Sequence, residues 1–139
     1  ESGGGGLVSS THDYARFLQM LVNEGELDGA RILSPESVRI MRTNSLRDEL
    51  LLRGSDTGPG QAGQGFGVGF AVIFDPDAAN SPQGPGTYYW SGVAGTWFWI
   101  DPAKDMFLLG MIQAQGPRRP DAVNMRNVAR DIIYDSLSD

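Results

Sequence analysis

An α+β fold, an antiparallel meander of strands with flanking helices, is what this 139-residue sequence predicts. Three observations lead there. Apolar residues recur at helical spacing near both ends, at Tyr14, Phe17, Leu18 and Leu21 and again at Val123, Met125, Val128, Ala129, Ile132 and Ile133. In between, from Gly65, the apolar period changes to two, the signature of extended chain. The last strand-like runs are joined by connections too short for a crossover, so neighbours must pair antiparallel.

Each element has its own local cause. Ser10 followed by Asp13 reads as a capping box, and a helix over 11–23 follows from it. Leu27-Asp28-Gly29-Ala30 carries the Asp-Gly pair of a tight hairpin. Ser34 before Pro35 is an N-cap with proline in the first helical position, opening a second, shorter helix that runs to about residue 43. Residues 44–64 lose all periodicity and read as a surface loop. From 65 to 74, Phe66, Val68, Phe70, Val72 and Phe74 alternate with small residues, which predicts one strand with a nearly bare side. Residues 75–86, with Pro76, Pro82 and Pro85, are turn and loop. Strands follow over 87–93, 96–100 and 106–114, and a closing helix over 120–137 presents an apolar stripe suited to cover one sheet face. The chain is read as one domain, with 1–64 mainly helix and loop and 65–139 the strands and the closing helix.

Composition removes several function classes. A hydrophobic share of 40% and a charged share of 20% suit a globular core. The net charge is −6 and the basic residues are scattered, so no nucleic-acid track is expected. Without cysteine, and with His12 as the only histidine, thiol chemistry and a nitrogen- or sulfur-based metal site are excluded, and no metal or organic cofactor is expected. No apolar run reaches the roughly 18–20 residues that span a bilayer. The sequence opens at Glu1-Ser2-Gly3 without an initiator methionine and runs straight into a helix start, which suggests a piece of a longer polypeptide.

Each known catalytic device makes its own demand on residue type and spacing. His12 beside Ser10 and Asp13 is accounted for by helix capping. A Ser-x-x-Lys pair is absent, since Lys104 is the only lysine and Asp101 stands three residues before it. The Gly-x-Gly-x-x-Gly match at Gly58, Gly60 and Gly63 contains Pro59 and leads into a strand, the wrong context for a dinucleotide fingerprint. Asp75/Asp77 and Asp101/Asp105 bracket prolines and read as turn residues. What remains is the stretch of residues 88–102, where Trp90, Trp97 and Trp99 flank the small-residue turn Ser91-Gly92-Val93-Ala94-Gly95. Each indole needs a large apolar contact and a partner for its N–H, so either core packing or a ligand is concentrated there.

These residues resemble a family. Gly3-Gly4-Gly5-Gly6-Leu7-Val8-Ser9-Ser10-Thr11 with Asp13-Tyr14-Ala15-Arg16-Phe17, the Leu27–Pro35 run, Gly65-Phe66-Gly67-Val68-Gly69-Phe70 and the hairpin from Trp90 to Pro102 are similar, in this order, to the C-terminal half of bacterial β-lactamase-related serine hydrolases. That superfamily includes penicillin-binding proteins, class C β-lactamases and family VIII carboxylesterases, and the likeness is to the last of these. The resemblance implies an incomplete β-lactamase/transpeptidase-like fold and a site of three parts: Ser-x-x-Lys, a tyrosine motif, and a Lys/His/Trp-x-Gly strand. Only the third maps here, onto Trp90-Ser91-Gly92. The resemblance further implies that the backbone N–H of Val93 is one of two oxyanion donors, that Gly92 permits close approach, and that Trp90, Ser91 and Gly92 contact substrate. Trp90 stands where penicillin-recognising enzymes carry a cation, which favours an ester over a β-lactam. Tyr14 sits on a helix face and is not the catalytic tyrosine.

Three readings follow. The first is a fragment of an acyl-serine hydrolase, inactive alone, acting on small ester or β-lactam-like compounds with no membrane span. The second is a binding module in which Trp90, Trp97 and Trp99 form an aromatic platform for glycan or peptide. The third is an assembly domain that recruits another chain, including a second copy, through the exposed edge of the strand at 106–114.

Overall fold

A computed structural model describes residues 7–47, 61–114 and 123–137. Most of the loop read over 44–64, the Gly58 and Gly60 positions and the start of the closing helix at 120–122 lie outside the described residues. The order is α1 (Thr11–Val22), β1 (Glu26–Leu27), β2 (Ala30–Arg31), α2 (Pro35–Met41), β3 (Gln64–Phe66), β4 (Ala71–Ile73), β5 (Thr87–Ser91), β6 (Trp97–Asp101), β7 (Met106–Gly110) and α3 (Met125–Ser136). Strands β3 to β7 form one antiparallel meander in sequence order, and β1 and β2 a separate two-stranded ribbon.

The capping signals act where the sequence places them. Ser10 Oγ accepts the Asp13 N–H at 3.1 Å and donates to the Asp13 carboxylate at 2.8 Å, so both short side chains are committed to the start of α1. Ser34 Oγ accepts the Ser37 N–H at 3.0 Å at the start of α2, with Pro35 beside it. Asp28 and Gly29 both adopt positive φ, 52° and 78°, the backbone that a two-residue hairpin requires. Gly25, at φ 96°, ends α1; a Cβ there would lie 2.2 Å from the Leu33 carbonyl oxygen.

The single strand expected over 65–74 is instead two. Gly67 N–H donates to the Phe70 carbonyl at 2.8 Å, Gly69 takes φ 87°, and the chain reverses so that Phe66 faces Ala71 across a β3–β4 hairpin. Gly67 lies over α2, where a Cβ would sit 2.0 Å from the Met41 carbonyl oxygen. Phe70 and Val72 enter the core, while Val68 at the hairpin tip and Phe74 beyond β4 are exposed.

Strand alternation divides the sheet into two faces. Val72, Tyr88, Phe98 and Ile100 pack with Phe70 against Leu18, Met20 and Leu21 of α1 and Val38 of α2. On the other face lie Tyr89, Trp99 and Asp101, and α3 reaches them: Tyr134 donates to Asp101 Oδ2 at 2.5 Å, and the Arg126 guanidinium sits 5.4 Å from the centre of the Tyr89 ring. The apolar stripe expected to cover the sheet does so only in part: Val123, Met125, Val128 and Ile132 are exposed, Ile132 at 64%, Ala129 and Ile133 are half-buried, and Tyr134 is fully buried. A polar tether and a cation over a ring help to hold this helix, and much of its apolar side faces outward.

Candidate active site

The segment Trp90-Ser91-Gly92-Val93 lies where β5 leaves the sheet. On one side β5 pairs with β6 as far as Ser91 opposite Trp97, and Gly92 N–H continues the ladder to the Thr96 carbonyl at 2.8 Å. On the other side β4 ends at Ala71 opposite Tyr89, so nothing in the meander pairs with the end of β5 there. Backbone groups alternate along a strand, so with Gly92 N–H turned towards β6 the Ser91 N–H turns towards this open side. Gly95 N–H donates to the Gly92 carbonyl at 3.0 Å and closes a four-residue turn with Gly95 at φ 95°. Ala114 N–H, donating to the Ala94 carbonyl at 2.8 Å, pins the turn from the β7 side.

Within that fixed turn Val93 is 92% exposed, and its N–H makes no hydrogen bond among the described residues. Gly92 carries no Cβ where one would stand 2.7 Å from Thr96 Oγ1, so its bareness accommodates the neighbouring strand. The Ser91 hydroxyl contacts no histidine, lysine or carboxylate partner among the described residues, and no residue here supplies a base to it. Trp90 is 42% exposed and meets Phe66 edge-on, ring centres 5.2 Å apart.

The three tryptophans do not share a face. Trp90 lies opposite Phe98 and points to the α1 side. Trp97 and Trp99 lie on the α3 side, stacked at 5.3 Å with 10° between their planes, and Trp99 is 1% exposed. Trp97 lies flat over Gly110 of β7, where a Cβ would come within 2.1 Å of its ring. A continuous platform of three indoles is therefore not formed: Trp97 and Trp99 stack on each other, and Trp90 stands on the opposite face.

Trp90, Ser91 and Gly92 border a cavity of about 180 Å³ together with Tyr14 of α1, Phe98, Leu109 and Met111. Tyr14 was excluded as a catalytic tyrosine, yet it is a wall of this cavity. Its ring packs against Phe17 and Phe98 at 5.5 and 5.7 Å, and burial raises its pKa above that of an ordinary tyrosine. The helical periodicity marks Tyr14 as inward-facing; that inward means the site depends on α1 crossing the sheet, which no local pattern encodes. Met111, beyond the end of β7, falls in the strand read over 106–114, but nothing in the sequence marks it as part of the site. Among the described residues no group of three His, Cys, Asp or Glu side chains is placed to hold a metal ion, and no helix is long and apolar enough to cross a membrane.

The Beta-lactamase family model matches residues 1–131. The chain belongs to the β-lactamase family. Protein Rv1367c of Mycobacterium tuberculosis (strain ATCC 25618 / H37Rv) is 46% identical over 113 residues, 79% of this chain and 28% of that protein. Esterase EstB of Burkholderia gladioli is 35% identical over 109 residues, 78% of this chain and 24% of EstB. The chain thus spans about a quarter of the length of the curated relatives it matches. Among solved structures, EstCE1, described as a hydrolase with promiscuous acyltransferase activity, superposes with a TM-score of 0.50 at 30% identity over 66% of this chain and 21% of its own. Simvastatin synthase LovD of Aspergillus terreus superposes with a TM-score of 0.70 over 88% of this chain and 33% of its own, at 17% identity, a likeness of fold. These relatives make this a serine-hydrolase-like β-lactamase family chain, and its sheet and helices an incomplete version of the family fold.

Proposed function

We propose that this chain is the oxyanion and acyl-side wall of a serine hydrolase that works through a covalent acyl-enzyme, with small neutral esters as substrates. The observation that carries the reading is the Val93 N–H, exposed and unbonded among the described residues, held in a fixed turn beside a cavity that Trp90 borders. A preorganised backbone donor is worth most where negative charge develops on a carbonyl oxygen, because it needs no rearrangement as the charge appears. Trp90 offers an aromatic surface in place of a cation, which suits an ester better than a substrate carboxylate. An esterase among the relatives supports the same choice.

In this reading the nucleophile and its base lie outside the 139 residues, which contain no Ser-x-x-Lys, and the chain alone is inactive. It also self-associates through β7, the free edge of the meander among the described residues. A fluorophosphonate probe tests the first point directly: intact-mass spectrometry is expected to find no adduct on this chain, and an adduct on Ser91 would overturn the proposal. The donor is tested in an active full-length enzyme that carries this sequence. Val93→Pro deletes the N–H at a turn position that proline favours, and is expected to lower kcat by about 10²–10³-fold. Unchanged kcat would remove Val93 from the mechanism.

A further inference from the structure

A second cavity lies towards the other end of β5 from Ser91, beside the paired residues Tyr88 and Ile100. Its volume of about 210 Å³ is below the roughly 300–1,000 Å³ of sites for drug-sized molecules, so an occupant must be small. Four of the side chains that border it have no polar partner. The Tyr88 hydroxyl, the Arg42 guanidinium and the carboxylates of Glu24 and Asp105 form no hydrogen bond or ion pair among the described residues. Asp101 also borders the cavity, but both of its oxygens are taken by N–H and O–H donors.

Tyr88 is the most telling of the four. It is 2% exposed, yet its hydroxyl is not sealed from accessible space, so an acceptor has to come from water or a ligand. Burial raises its pKa to about 12 and keeps it a donor, the Arg42 charge opposing part of that rise. The carboxylates are held there by backbone that glycine adopts more readily. Glu24 and Gly25 N–H groups donate to the Leu21 and Met20 carbonyls at 3.1 and 2.8 Å, which leaves Glu24 left-handed at φ 56° in a helix-ending position where glycine is usual. Asp105 takes φ 51° just before β7. Both carboxylate residues are exposed, and Arg42 is half-buried.

Charge decides what such a cavity can take. A simple anion meets two carboxylates and a simple cation meets the guanidinium, whereas a molecule with both charges finds a partner for each. We propose that this cavity binds a small free α-amino acid with an apolar side chain: its carboxylate on Arg42 and Tyr88, its ammonium on Glu24 and Asp105, its side chain against Leu21, Val38 and Ile100. The site shares no residue with the Val93 turn and does not depend on the acyl-hydrolase reading.

The test is isothermal titration of the 139-residue chain with three probes of one carbon skeleton: leucine, 4-methylpentanoate, which lacks the ammonium, and 3-methylbutylamine, which lacks the carboxylate. Leucine is expected to bind with a Kd of about 1 mM or below, and each singly charged analogue at least about tenfold more weakly. Arg42→Gln should weaken leucine about tenfold and shift the preference towards 3-methylbutylamine. Glu24→Gln combined with Asp105→Asn should weaken leucine similarly and shift the preference towards 4-methylpentanoate. Tyr88→Phe, which keeps the ring and removes only the hydroxyl, should weaken leucine about threefold or more. No heat from leucine at about 10 mM, equal affinity for the three probes, or charge variants that leave the preference among them unchanged would overturn the site. Circular dichroism melts show which variants are folded; should one not fold, the probe series on the native chain decides alone.

Discussion

Asp101 shows how much one buried side chain settles. Its carboxylate is fully buried, yet it forms no ion pair among the described residues. Oδ2 accepts the Gly84 N–H at 2.9 Å and the Tyr134 hydroxyl at 2.5 Å, and Oδ1 accepts the Ala103 and Lys104 N–H groups at 2.9 and 3.3 Å. Donors from the loop before β5, the turn after β6 and helix α3 thus meet on one group. The turn half of that role was legible in Asp101-Pro102; the link to Tyr134, 33 residues on, was not, because nothing local marks a tyrosine as the partner of a distant carboxylate. Tyr134→Phe removes one of the four donors and is expected to cost about 1–3 kcal/mol, read as a lower midpoint in urea unfolding. The tyrosines also set an alkaline limit. Burial raises the Tyr88 hydroxyl to about 12, and burial followed by Asp101 raises Tyr134 as well. The folded state therefore keeps protons that the unfolded chain loses near pH 10, so this contribution is complete below pH ~10 and is lost as pH climbs towards 12. Urea midpoints are expected to hold steady up to pH ~10 and then fall, and Tyr88→Phe should make that fall shallower.

At the scale of elements, glycine decides where strands end and what lies across them. The period-two run of 65–74 contains an apolar residue at every second place, and that pattern is the same whether the chain continues straight or turns back. Gly69 at φ 87° and the contact of Gly67 with the Met41 carbonyl select the turn, and the second of these needs α2 in place first. By contrast, the Asp28-Gly29 hairpin and both serine caps were fully legible, because their causes lie within four residues. Gly110 belongs to the first class. It leaves the space in which the Trp97 indole lies across β7 and stacks on Trp99, fixing the start of β6 directly after the turn that holds Val93. Gly110→Ala would place a methyl 2.1 Å from that ring. The expected loss is about 1–3 kcal/mol in urea unfolding. Trp97→Leu, added to Gly110→Ala, should recover part of it in a double-mutant cycle, and strictly additive losses would show that the ring is not what Gly110 accommodates.

For the whole molecule, the meander order was readable from short connections, but the balance between covered and open surface was not. The α1 and α2 layer buries its face of the sheet, while α3 turns Met125, Val128 and Ile132 outward. At the far edge β7 and its continuation, from Met106 to Ile112, contain neither a charge nor a proline. Exposed edges usually carry such residues, because an unpaired row of N–H and C=O groups recruits another strand. Against association stands the net charge of −6 on every copy, a repulsion that salt screens. The two terms make the proposed self-association salt-dependent in a definite direction. Static light scattering is expected to show the average mass rising with protein concentration, and rising further as ionic strength goes from about 0.01 to 0.15 M. Leu108→Lys, which sets a cation on the free edge, should hold the protein at monomer mass in both conditions, with its circular dichroism melt confirming that the sheet is intact. A monomer at millimolar concentration and 0.15 M salt would mean that the β7 edge is shielded in this chain, and the assembly role would fall with it.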